Sequence, residues 1–189
     1  MQQWLAPVAS ARSAGMQLDA LFVADPSNSY YLQDPDGTWD GVSYFARLVG
    51  RYTCEYERVL LIGSSMGASA CLHHCDLASR AIAFAPRVDL SASHGAYIPS
   101  AARDTGLQRT LGALTRLHAK GGTCTVHAGR TNYVDTAQVA HVAHMPSVVV
   151  EAWPTFHHNV PAFLEREGRL VPLIKRELAA LLRGPKQCT

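Results

Sequence analysis

Charge of one sign, long apolar runs, paired cysteines and internal repeats are all missing from this sequence, and each absence removes a class of function. Lys and Arg number 17 against 15 Asp and Glu, a formal net charge of +2 over 189 residues, with the basic residues scattered. That pattern builds no track for a phosphate backbone, and nucleic acid is not an expected partner. No apolar run approaches the roughly 18–20 residues needed to span a bilayer. The first residues, Met1 to Ala14, lack the charged start and apolar centre of a secretory signal. A cytoplasmic protein is expected, although the Ala, Ser and Arg near the start also suit a transit segment. The five cysteines, Cys54, Cys71, Cys75, Cys124 and Cys188, are odd in number and irregular in spacing. They make no disulfide framework, and reduced thiols are expected.

What is present is enough apolar material for a core, 48% of the chain, in a length that suits a single domain, 1–189. Five short apolar runs have strand composition: Leu18 to Ala24, Arg58 to Ile62, Ala81 to Ala85, Thr123 to Ala128 and Ser147 to Ala152. Turn residues bound them, as in Asp25-Pro26-Ser27-Asn28, Pro86 and Gly121-Gly122. Between them lie helical patterns over Val42 to Tyr52, with Asp40 as candidate cap, then Ala68 to Ser79, Ser100 to Lys120 and Gln138 to His144. A last pattern, Val160 to Leu182, is interrupted near Gly168 and Pro172. Strands alternating with helices predict an α/β three-layer sandwich on about five parallel strands.

Gly63-Ser64-Ser65-Met66-Gly67 matches G-x-S-x-G between a strand and a helix, the setting in which this motif carries chemistry. The two glycines are expected for steric reasons, since side chains there would meet the neighbouring strand and helix. Ser65, central between them, is the candidate nucleophile. The Met66 N–H, at a helix start, is a candidate oxyanion donor. A serine hydroxyl needs a base. His157 and His158 follow the last strand, where this chain order puts the histidine, and one of them is expected to face the turn. Asp135 is the sole acid between the last two strands. It is a candidate partner for the histidine, or alternatively the cap of the following helix. Asp25, after the first apolar run, is a candidate second oxyanion site or simply a turn cap.

Two further groups invite a reading. Cys71, His74 and Cys75 share a helical face, but no further ligands complete the four of a zinc site, and no metal or cofactor is expected. Tyr30, Tyr31, Trp39, Tyr97 and Trp153 suit a substrate groove or core packing.

Leu21-Phe22-Val23-Ala24-Asp25-Pro26 with Ser29-Tyr30-Tyr31 resembles a segment of small bacterial α/β-hydrolase-like proteins of serine esterase type. Ile62 to Ala68 is similar to their strand-to-helix elbow, and Ala83 to Leu90 to the strand after it. His158-Asn159-Val160, with Leu164 and Gly168, resembles their C-terminal histidine segment and favours His158 over His157. The resemblance runs from about Leu18 to Leu173. It implies a minimal α/β-hydrolase fold lacking the first antiparallel strands, which leaves the usual oxyanion loop without its source. It further implies a lid segment over Ser91 to Lys120, short here, and hence an open site. The expected activity is hydrolysis of an ester or thioester in a small-molecule or acylated substrate. The alternatives are an acyltransferase, or an inactive module that binds carbohydrate or a protein.

Overall fold

The last four of the five apolar runs become a parallel sheet in the computed structural model, which describes residues 2–90 and 97–184. The strands are β1 (Leu60–Ser64), β2 (Arg80–Phe84), β3 (Thr123–Gly129) and β4 (Val148–Trp153), paired in the order β1-β2-β3-β4, all parallel. The helices are α1 (Gln2–Ser13), α2 (Gly41–Thr53), α3 (Met66–His74), α4 (Ser100–Ala119), α5 (Tyr133–Ala140), α6 (Val160–Arg166) and α7 (Leu170–Arg183).

Side chains alternate across the sheet, so each central strand feeds two cores. Ala81 and Ala83 of β2, with Cys124, Val126 and Ala128 of β3, pack against Ala68 and Leu72 of α3, Ala113, Leu114 and Leu117 of α4, and Val139 of α5. Ile82 and Phe84 point the other way, onto Val160 and Leu164 of α6 and Leu170, Leu173 and Ile174 of α7, with Trp4 of α1 beside them. Helices therefore cover both faces, the three-layer arrangement expected. The three crossovers through α3, α4 and α5 lie on one face. A sheet that grows in one direction by right-handed crossovers has that consequence.

The sheet has four strands among the described residues, where five were expected. Leu18 to Ala24 forms no strand and pairs with none among the described residues. Its Leu21 and Phe22 are 52% and 42% exposed. Side chains take several of its polar groups: Arg12 donates to the Leu18 carbonyl, the Tyr56 hydroxyl to Asp19 Oδ2, and the Tyr31 hydroxyl to the Val23 carbonyl. β1 is consequently one edge of the sheet. β4 is the other, and its Val149 and Val150 are exposed.

Helix boundaries moved for local reasons. Asp40 stands at the N-cap of α2 but makes no capping bond. Instead the Gly41 N–H donates to the Leu32 carbonyl at 3.0 Å, and a Cβ on Gly41 would fall 2.4 Å from Leu32 backbone. α5 starts at Tyr133, earlier than the apolar spacing of Gln138 to His144 suggested, because Asn132 caps it. The C-terminal pattern breaks only between Arg166 and Leu170, with Gly168 at φ +66, whereas Pro172 fits within the first turn of α7. Pro is tolerated there because first-turn N–H groups lack helical partners. Part of the expected lid, residues 91–96, lies outside the described residues. Ser100 onward is α4, packed against α3.

Candidate active site

β1 ends at Ser64, and the chain turns at once into α3 through Ser65. Ser65 has φ 52° and ψ −117°, a conformation non-glycine residues rarely adopt. Two features hold it there. The Ser65 N–H donates to the Phe84 carbonyl at 2.8 Å, and the Ser65 carbonyl accepts from the Ala68 and Ser69 N–H groups. Gly63 permits the turn: a Cβ there would sit 2.1 Å from the Gly67 carbonyl oxygen. Gly67 does not need to be glycine for the same reason, since a Cβ on it would meet nothing within 4 Å. The expected crowding at both flanks thus exists at one.

The loop after β4 brings His158 to Ser65. Asn159 caps α6 by accepting from the Ala162 N–H, and the Val160 N–H bonds the His158 carbonyl. His158 Nε2 lies 2.8 Å from Ser65 Oγ, and His158 Nδ1 lies 2.8 Å from Asp135 Oδ1. With a proton on Nδ1 donated to the carboxylate, the Nε2 lone pair faces the serine hydroxyl. The arrangement can pass the Ser65 proton to the imidazole and stabilise the resulting imidazolium. Among the described residues His157 makes no such contact; its ring lies tilted against Phe156, with centroids 4.0 Å apart.

Asp135 is fully buried in the first turn of α5, with its N–H donated to the Asn132 side chain. Asn132 therefore does the capping, and the Asp135 carboxylate is left to the site. The Asn132 amide also donates to the Phe156 carbonyl at 3.0 Å, tying the loop after β3 to the loop that carries His158. Met66 is the first residue of α3, where a helix leaves its N–H without an intrahelical acceptor. The imidazole is 35% exposed, so the site opens to solvent.

The other candidates fall elsewhere. Asp25 organises its own loop: its carboxylate accepts from the N–H groups of Ser27, Ser29 and Tyr31 and from the Ser29 hydroxyl. That is the turn-capping role of the two considered for it. Asn28, Tyr30 and Tyr31 all have positive φ in this loop. Tyr31 is buried edge-on against Phe45, and burial, then Asp25, pushes its phenol up to about 12. Trp153 is half-buried against the core, donating to His127 Nδ1 and lying under Arg169. Tyr97 and Trp39 are exposed. Cys71, Cys75 and Cys124 are buried free thiols, each pushed upward chiefly by burial. Among the described residues no group of three or more His, Cys, Asp or Glu side chains is placed to hold a metal ion. No helix among them is long and apolar enough to cross a membrane.

A cleft of about 330 Å³ lies between the segment 21–26 and α2, lined by Leu21, Phe22, Val23, Tyr44, Leu48 and Tyr52. None of Ser65, Asp135 or His158 borders it.

One site residue has no counterpart in the sequence reading. Arg87, in the segment after β2, donates from Nη1 to Asp135 Oδ1 at 2.8 Å, and its Nη2 lies 3.3 Å from His158 Nδ1. Its one signal was an arginine close after the apolar run Ala81 to Ala85, where a charge needs a partner.

Compared with family models, curated proteins and solved structures, the chain matches none.

Proposed function

We propose that this protein is a serine hydrolase with a minimal α/β-hydrolase fold, cleaving an ester or thioester through an acyl-enzyme. One observation carries the reading: a continuous hydrogen-bonded chain, Ser65 to His158 to Asp135, whose serine sits at φ 52° between a parallel strand and a helix. The order Ser, Asp, His along the sequence, each after a successive parallel strand apart from β2, supports the same fold family.

In the first half-reaction Ser65 Oγ attacks the carbonyl carbon while its proton moves to His158 Nε2. The oxyanion points to the Met66 N–H at the head of α3. The C–O or C–S bond to the leaving group then breaks, and the leaving group takes the proton from His158. Water enters, gives its proton to Nε2 as it attacks the acyl carbon, and Ser65 departs with that proton. Asp135 orients the imidazole throughout. The open site suits modest or surface-displayed acyl groups. A cytoplasmic setting belongs to the same proposal, and the buried free thiols of Cys71, Cys75 and Cys124 accord with it.

The test is labelling with a fluorophosphonate probe. Wild type should label, and Ser65→Ala and His158→Ala should not. A folded wild type that stays unlabelled would overturn the reading and favour a binding module.

A further inference from the structure

Arg87 is placed with more care than a space-filling residue needs. Its side chain is 8% exposed. Its N–H donates to Ser69 Oγ at 3.0 Å, and the Ser69 hydroxyl donates to its carbonyl at 2.8 Å. The next two N–H groups, of Val88 and Asp89, converge on Gln138 Oε1. The segment is thus stapled between α3, which begins beside Ser65, and α5, which carries Asp135.

A guanidinium only donates, a carboxylate only accepts, and Nδ1 of a neutral imidazole does one or the other. If Nδ1 carries the proton, it donates to Asp135, and Arg87 Nη2 at 3.3 Å is a mere neighbour. If Nδ1 is bare, it accepts from Arg87, the proton sits on Nε2, and Ser65 loses its base. A buried carboxylate also needs a compensating cation. Without Arg87 the one candidate among its contacts is the imidazole itself, converted to imidazolium, which again leaves Ser65 without a base. His158 is faced by Asp135 from α5, Arg87 from the segment after β2 and Ser65 from the turn into α3. Among the described residues α6 adds no hydrogen bond or ion pair to the ring.

We infer that Arg87 is a positioning residue that serves as the resting counter-ion of Asp135, so that Asp135 orients His158 while the imidazole stays uncharged and able to take the Ser65 proton. The inference rests on the hydrolase reading above.

The test compares rates of fluorophosphonate labelling across pH for wild type, Arg87→Met and Arg87→Lys, with Ser65→Ala as control. Without Arg87, the charge left to offset Asp135 is a proton on the ring, which high pH removes. Arg87→Met should therefore label roughly 10- to 100-fold more slowly at pH about 7 and regain most of the rate near pH 9. Arg87→Lys, which keeps the charge, should retain a profile close to wild type. An Arg87→Met profile that matches wild type overturns the inference, and so does a loss equal at every pH. If Arg87→Met fails to fold, nitrogen NMR of His158 in the wild type decides. A neutral ring protonated on Nδ1 at pH 7 is expected, and an imidazolium there overturns the inference. Failure of wild type to label counts against the hydrolase reading alone, because the NMR result still tests the charge arrangement.

Discussion

Two buried aspartates stand at opposite ends of the same sheet, and the protein treats them differently. Asp76, in the short turn Cys75–Leu77 after α3, gives one oxygen to Arg109 and the other to Arg116, both at 2.8 Å, while its carbonyl accepts from Lys120. All three cations come from α4 or its cap, so this carboxylate holds two crossover helices together. Asp135 gives Oδ1 to both Arg87 and His158 and leaves Oδ2 buried with no partner in the described residues. An unmet buried acceptor costs about 1–3 kcal/mol. A carboxylate that only joins helices has no reason to carry that cost, whereas one that holds the His158 ring against Ser65 does.

Exchanging the roles is the strongest way to break this contrast. Asp135→Asn should slow labelling by roughly 10³–10⁴-fold, the effect of setting the wrong histidine tautomer. Asp76→Asn should leave the labelling rate of folded protein unchanged; a comparable loss there would erase the distinction. Its effect belongs to stability. Breaking the pair should cost about 2–3 kcal/mol, less than a fully buried pair because Arg109 and Arg116 are partly exposed. Thermal melting should fall by roughly 4–12 °C.

Acid sharpens the comparison at the Asp76 end. His73 and His74 are buried there, and burial above all lowers each to about 3. In the unfolded chain they titrate near about 6.5. Between those values the unfolded chain binds the extra protons, so stability is full above about pH 6.5 and falls as pH drops toward 3. Neither ring nitrogen of His74 has a hydrogen-bond partner among the described residues, so His74→Leu removes no hydrogen bond there. It should gain about 1–2 kcal/mol at pH 5 relative to its effect at pH 8, measured by denaturant unfolding at both. The smallest effect should come from Asn132→Ala, about 1 kcal/mol for the lost cap. A few-fold slower labelling should accompany it as the Asp135 and His158 loops separate.

The site was more legible than its surroundings. Ser65, Asp135 and His158 follow strand ends in a set order, and strand ends are what apolar runs reveal. Arg87 was hidden because nothing in spacing separates a buried arginine from a surface one; only the Asp135 contact gives it meaning. The run Leu18 to Ala24 has strand composition, yet it leaves the free edge of β1 unpaired, because composition sets a propensity and not a pairing partner. The capping of α5 by Asn132 was missed for a simpler reason. The apolar spacing pointed to Gln138 to His144, which overlaps α5 only at its last three residues, so the first turn with Asp135 and its cap fell outside the expected helix.

The sheet adds its strands strictly in the order in which they are made, and each strand end delivers one member of the site: Ser65 after β1, Arg87 after β2, Asp135 after β3, His158 after β4. During synthesis the hydroxyl and its future counter-charges leave the ribosome first, and the base comes last. On the proposed hydrolase reading, a half-made chain lacks its base, and the hydrogen-bonded set is complete only when the loop after β4 brings His158 to Ser65.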